Sequence, residues 1–515
     1  MIDDEVTKSS PSNLSQIDPD WTRLTPYLKE HDDQNLLYFL FQGLIFPKEN
    51  NLMLRCRMTG GELTTDQVLA LADIAETHGA GYADVTTRAN FQIRDIPDSH
   101  GIIVLKKLLH LGIAPAVKGL NNLRNVTTTP TTGFDPHEVL DVMPIAKQIH
   151  QNLLYNNQLQ GLPGKFNIAL DSGGKISVAS EANDLGIKAV SHQGATYFRL
   201  SVADIKAEKT IAQDLNWLIK PEHIITVTDS IIHTYLQLGD FSQRLKSRLK
   251  FLIANIGIEE FKSNVITNLP ANTPLLADHS PHPPASREVD AHLGSHDQKQ
   301  DKLSYIGVNG AAGRYTSLQL RAIANAAETH GNSTIRLTTL QNCLIPYIDK
   351  SSLNQVIESL QQNSLTITSK IAGSIVACTG SSGCSYSATA TKEHSLELSK
   401  YLQDSGDFNE AINIHFTGCT FSCAQNHIGD IGLLGVKTKG TPCYHIFLGG
   451  GADANTSAIK VWKSIPYTNL APHIKSILEL YNKEKHCGEN FNNFVHRSGI
   501  DHFTTSIPIA GGTNV

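Results

Sequence analysis

A stretch of nineteen residues occurs twice in this chain. GELTTDQVLALADIAETHG at 61–79 returns as GRYTSLQLRAIANAAETHG at 313–331, and the offset of 252 holds without a gap from Gly61/Gly313 through Ile93/Ile345. A repeated unit has an apolar face in each copy, and the simplest way to bury both is to pair the copies over a shared core. Each copy reads as a helix opened by a capping box, Thr64 with Gln67 in the first and Thr316 with Gln319 in the second. Val68, Leu71, Ala72 and Ala75 make one apolar face, and Gly79 stands where a C-terminal cap belongs. Strand-like LMLRCRM precedes the first copy, ADVTT and FQI follow it, and a helix is expected around 99–111. Longer segments, about 121–264 and 371–490, alternate with these units, so the order is A, B, A′, B′.

The copies differ in charge where they agree in core. Arg55, Arg57, Arg88 and Arg94 of the first copy face Gly307, Asn309, Leu340 and Pro346 of the second. Four guanidinium groups on neighbouring strand positions of one copy suggest a site for anions; a solvated basic face is the alternative.

Four cysteines fall in two pairs in the last segment, Cys378 with Cys384 in ACTGSSGCSYS and Cys419 with Cys423 in TGCTFSCAQNHIGDIG. The Gly, Ser and Thr around them let the backbone come close to an inorganic cluster and donate N–H groups to sulfur. A [4Fe–4S] cluster takes four such thiolates. Structural zinc also takes four but usually holds them in tighter knuckles, and five residues separate the first pair.

The bulk numbers narrow the partners. At 515 residues the chain is long enough for two to four domains. Charged residues are 18% and the net charge is −6, so no polybasic field argues for nucleic acid or an anionic membrane. Beyond the cluster candidates only Cys56, Cys343, Cys443 and Cys487 remain, too few for a disulfide framework, and a reducing cytoplasmic setting is expected. The opening 33 residues read as a polar tail without the pattern of a signal or transit peptide, and no apolar run reaches membrane-spanning length. The stretch around 265–300 is Pro- and His-rich and reads as an extended linker, with His279, His282, His292 and His296 taken as incidental solvated side chains.

C-x5-C followed by C-x3-C within TGC-x3-CAQ resembles the cluster signature of the sirohaem-containing nitrite and sulfite reductases, and matching stretches run from about Tyr38 to near Phe494. The resemblance implies an α+β fold: duplicated ferredoxin-like modules (34–120 and 301–370) and two sirohaem/iron–sulfur reductase domains (121–264 and 371–515), related by pseudo-twofold symmetry. It implies two cofactors, sirohaem and a [4Fe–4S] cluster held by Cys378, Cys384, Cys419 and Cys423, with Cys423 shared between them. Sirohaem carries eight carboxylates, which need cations and fixed donors when buried. Thr86, Arg88, Gln92 and Arg94 match family positions lining the macrocycle, and Arg57 and Asn125 match less closely. Arg55, Arg124 and Lys165 match the cations that hold the substrate anion, and Asn167 takes the place of a second lysine found in sulfite-reducing members. One fewer cation suits nitrite over sulfite. The expected activity is six-electron reduction of nitrite to ammonia with reduced ferredoxin as donor; sulfite reduction, and more remotely precorrin-3B synthesis, are the alternatives.

No dinucleotide or flavin segment is legible, since GGGADA at 449–454 lacks a βαβ setting. RLKSRLK, with Arg244, Lys246, Arg248 and Lys250, is either a docking patch for an acidic ferredoxin or an ordinary helix face.

Overall fold

The computed structural model describes residues 44–514 apart from 49–50, 114–124, 160–161, 163–165, 204–211, 243–246, 281–287, 289, 368–369, 406–407, 409, 452–456 and 509–510. The polar tail, Arg124, Lys165, Arg244, Lys246 and His282 therefore lie outside the described residues.

Each copy of the repeated unit builds a five-stranded sheet whose last strand comes from the other copy. The first runs Leu44–Lys48, Asn51–Arg55, Phe91–Pro97, Tyr82–Val85 and then Arg314–Thr316. The second runs Gly294–Asp297, Leu303–Val308, Cys343–Asp349, Thr334–Leu337 and then Glu62–Thr64. The exchange is reciprocal: Arg314 sits opposite Asp84 in one sheet and Glu62 opposite Arg336 in the other. These registers differ by the same offset of 252, as a two-fold relation requires.

Each exchanged strand also brings a charge to its partner sheet. The Arg314 guanidinium donates to both oxygens of Asp84, at 2.9 and 3.2 Å, and Arg336 pairs with Glu62 at 2.7 Å. The acid and the base have changed places between copies, so the pairing survived while its polarity reversed. Asp84 and Arg336 are both buried, and removing one partner of a buried pair typically costs about 3–5 kcal/mol.

The helices Thr65–His78 and Ser317–His330 carry the expected capping boxes in full, with side chain and backbone bonded both ways. Their apolar faces, including Val68, Leu71, Leu320 and Ile323, meet in one core drawn from both copies.

The two B segments repeat a second topology. Val126–Thr128, Ile168–Asp171 and Leu185–His192 run parallel, followed by antiparallel Ala195–Val202, Gln213–Ile219 and Leu276–Ala277. Ile375–Ala377, Ile414–Thr417 and Ile431–Thr438 likewise run parallel, followed by antiparallel Thr441–Leu448, Ile459–Pro466 and Thr513–Asn514. Each sheet has a core of its own. The mixed helices and sheets make this the α+β fold expected.

The stretch between the halves is more structured than an extended linker. Gly294–Asp297 adds an edge strand to the second module, and Ala291 and Leu293 are buried beside it. His292 is 1% exposed, and His296 stacks on Tyr305 with Nε2 2.7 Å from the Leu293 carbonyl, so these two are packed rather than solvated. Gly307 accounts for the fit, because a Cβ there would meet the His292 carbonyl oxygen at 2.3 Å. Among the described residues the next element after Thr441–Leu448 is the antiparallel strand Ile459–Pro466, and residues 452–454 of GGGADA lie outside them. Among the described residues no helix is long and apolar enough to cross a membrane.

Candidate active site and metal centre

Alternation along the strands of the first module sends one set of side chains into the core and the other to a cavity. Leu52, Leu54 and Cys56 are core, whereas Met53, Arg55 and Arg57 line the cavity. Phe91 and Ile93 are core, whereas Gln92 and Arg94 line it; Ala83 and Val85 are core, whereas Asp84 and Thr86 line it. The cavity encloses about 790 Å³, and its opposite wall holds Cys378, Cys384, Cys419 and Cys423. Asn125 and Asn167, from the first B segment, complete it.

Topology places the cysteines. Cys378 directly follows Ile375–Ala377 and Cys419 follows Ile414–Thr417, two neighbouring parallel strands whose carboxyl ends open side by side. Crevices at such ends are where open parallel sheets bind ligands. The Gly418 N–H donates to Cys378 Sγ at 3.3 Å, and Thr391 Oγ1 lies 3.3 Å from the same sulfur while donating to the Cys378 carbonyl at 2.7 Å. Gly418 is needed for the approach, since a Cβ would overlap Ser387 Oγ at 1.8 Å. Burial pushes the Cys419 thiol up to about 11, and Cys423, Cys378 and Cys384 act on it in the same direction. Bound iron would reverse that shift, because a coordinating thiol is deprotonated. Among the described residues no three His, Cys, Asp or Glu side chains meet around one metal ion. A cluster, whose irons each take one thiolate, does not require them to.

The first module docks on the cysteine loops through residues singled out from the sequence. Arg94 Nη2 donates to Thr379 Oγ1 at 3.1 Å and its guanidinium lies against Gly383, where a Cβ would meet Nη1 at 2.0 Å. With its amide oxygen turned toward Arg94, Gln92 accepts from Nε and Nη2 at 2.8 and 2.6 Å. Thr87 Oγ1 donates to the Cys423 carbonyl at 2.9 Å. Arg88 faces the other way: it bonds Asn183 Oδ1 and the Asn125 carbonyl, and the Asn125 amide returns to the Met58 and Arg88 carbonyls. That pair ties the first module to the first B segment.

Asn167 is held by its backbone, its N–H donating to Asp184 Oδ2 at 2.9 Å. Asp184 has no exposed surface and accepts from Arg248 Nε and Nη2 at 3.1 and 2.8 Å. Arg248 and Lys250 both line the cavity, so RLKSRLK is not one outward basic face.

Sequence reasoning also passed over Lys392, Asn426 and His427, all on the cavity wall. Burial and Lys250 hold His427 down to about 4, so its ring is neutral. His427 Nε2, Asn426 Nδ2, Thr417 Oγ1 and Asn125 Oδ1 are buried polar atoms without a hydrogen-bond partner among the described residues. Buried groups of this kind are normally satisfied, so a polar occupant is expected. Only the TGCTFSCAQNH context could have flagged Asn426 and His427; nothing in the sequence flags Lys392.

Thiolates for iron, guanidinium groups for carboxylates and unpartnered polar atoms in one cavity fit a sirohaem–[4Fe–4S] pair. The family model described as "Nitrite and sulphite reductase 4Fe-4S domain" matches residues 119–273 and 372–509, and "Nitrite/Sulfite reductase ferredoxin-like half domain" matches 46–110 and 296–363. The chain is 31% identical to the ferredoxin–nitrite reductase of Synechococcus elongatus, over 84% of this chain and 86% of that one. It is 28% identical to the chloroplastic ferredoxin–nitrite reductase of Spinacia oleracea, over 93% and 82%. The fold matches the solved NirA protein of Mycobacterium tuberculosis with a TM-score of 0.82 at 23% identity, covering 96% of this chain and 98% of that one.

Proposed function

The chain belongs to the nitrite and sulphite reductase family, and from that premise we propose that it is an assimilatory, ferredoxin-dependent nitrite reductase. Six electrons and eight protons take nitrite to ammonium and two waters. The observation that carries the reading is the meeting of the first module's arginines with all four cysteines in one cavity.

In this reading Cys378, Cys384, Cys419 and Cys423 would hold the cluster, and Cys423 would also serve the sirohaem site. Arg57, Thr86, Arg88, Gln92, Arg94 and Asn125 hold the macrocycle and its carboxylates. When bound, the two groups supply single low-potential electrons and an iron site for the anion. Arg55 and Asn167, with Arg124 and Lys165 outside the described residues, bind the anion and favour protons arriving there. The backbone bond from Asn167 to buried Asp184 keeps that residue in place, and its neutral amide favours the monoanion nitrite over sulfite. The half-domains 34–120 and 301–370 and the reductase domains 121–264 and 371–515 are the units we assign.

Reduced ferredoxin as donor rests on the relatives' names, since no dinucleotide or flavin segment is legible in the chain. Eight cysteines with no disulfide among them suit a reducing cytoplasmic setting.

The test is anaerobic turnover of the cofactor-loaded protein with a reduced viologen, comparing kcat/KM for nitrite and sulfite in one preparation. Preference for nitrite with ammonia as product supports the assignment, and preference for sulfite overturns the substrate. Asn167→Lys should move the ratio toward sulfite; an unchanged ratio would remove Asn167 as the selector.

A further inference from the structure

Lys392 is a buried cation without a local reason to be there. It is 3% exposed and sits in the first turn of the helix Thr391–Asp404, the end at which the helix dipole disfavours positive charge. Its ammonium donates to the Ala312 carbonyl in the second module, and no carboxylate among the described residues lies within ion-pair distance of it. An ammonium has three hydrogens to place, and burying one without a counter-charge is unfavourable.

Burial works against its charge, Asp84 and Cys378 favour it, and Arg314 and Arg94 oppose it. Asp84 is already engaged by both arms of Arg314, while Glu393 faces Arg314 and Asp95 faces Arg94, so none of these carboxylates is given over to Lys392. Lys392, Arg94 and Asp84 share the cavity wall with the four cysteines. Four thiolates around an iron–sulfur core carry a net negative charge, and reduction adds one more.

We propose that Lys392 is a positioning charge that raises the reduction potential of the cluster held by Cys378, Cys384, Cys419 and Cys423. The inference rests on the cofactor reading above. A fixed cation stabilises the reduced cluster more than the oxidised one, because the reduced form bears the extra negative charge. Asp84, facing Lys392 from the first module, opposes it and sets the balance.

The test is a potentiometric titration of the loaded protein, following the reduced cluster by electron paramagnetic resonance, with iron content measured alongside. Lys392→Met should lower the midpoint by at least a tenfold shift in the equilibrium, about 59 mV for one electron. Lys392→Arg should stay close to wild type. Asp84→Asn should raise the midpoint, and it decides the matter if Lys392→Met fails to load. Midpoints that do not move, or that move the same way in both variants, overturn the proposal, since a merely structural disturbance has no reason to change sign with charge. Wild-type protein that takes up no iron and sulfide on reconstitution overturns the cofactor reading itself.

Discussion

Replacing Arg248 with methionine should cost the protein more than replacing Asp184 with asparagine, although both variants break the same pair. Asp184 is fully buried, while the Arg248 side chain is 16% exposed at the cavity wall. Arg248→Met keeps most of the stem's volume but takes two charge-assisted hydrogen bonds, at 3.1 and 2.8 Å, from a carboxylate that water cannot reach. Taking the guanidinium from a buried carboxylate in this way costs about 3–5 kcal/mol. Asp184→Asn removes the buried charge instead. Its amide oxygen can still accept the Asn167 N–H, and the guanidinium can turn to water in the cavity, so the cost should be nearer to about 1–3 kcal/mol. A domain of this size loses about 2–4 °C per kcal/mol, which puts Arg248→Met on the order of 10 °C below wild type in a thermal melt. The double variant should lose less than the sum, because the second change removes the carboxylate whose guanidinium partner the first one took. In the loaded enzyme both single variants should also alter the nitrite-to-sulfite ratio, since Asp184 holds the Asn167 backbone. A melt in which Arg248→Met is no worse than Asp184→Asn, or in which the two losses simply add, would refute the reasoning.

Three further outcomes follow from single positions. Gly432→Ala puts a Cβ 1.9 Å from the Asn426 carbonyl oxygen, so it should displace the loop after Cys423 and reduce the iron bound per chain; wild-type iron content would show that the loop tolerates the shift. Burial pushes the Asp229 carboxyl up from 3.8 to about 6, against the pull of the Asn152 and Asn156 amides. A raised folded value means that its stability contribution is whole below about pH 4 and is lost as the pH rises through about 6. Asp229→Asn should therefore match wild type at pH 4 and exceed it at pH 8 by on the order of 1 kcal/mol after solvent screening, and a pH-independent difference would contradict this. Thr64→Ala and Thr316→Ala each remove a complete capping box and should each cost about 1 kcal/mol in urea denaturation. Unequal losses would mean that the two copies are not held alike.

The local signals were legible because their physics is local. Thr64 with Gln67 and Thr316 with Gln319 satisfy backbone donors within one turn, so the sequence alone identifies both helix starts. The cysteine spacing marks out four side chains that come to line one cavity, and the offset of 252 announces a duplicated module. Alternation in LMLRCRM and FQIR separates the cavity-facing Arg55 and Arg94 from the core-facing Leu54 and Ile93.

Tertiary structure decided what depends on residues far apart in the chain. Nothing within GELTT says that its strand leaves its own sheet for Thr334–Leu337, and only that exchange explains why Glu62 and Asp84 need Arg336 and Arg314 as partners. RLKSRLK has the composition of a surface patch, yet Arg248 turns inward because buried Asp184 stands 64 positions earlier in the chain. His292 has the look of a linker residue and is buried because Gly307 leaves room for it. Lys392 reads as an ordinary helix lysine until the Ala312 turn and the first module close over it. Propensity, capping and alternation are written in neighbouring residues, so a sequence carries them openly; burial and charge pairing are set by which distant surfaces meet, and only the folded chain brings those together.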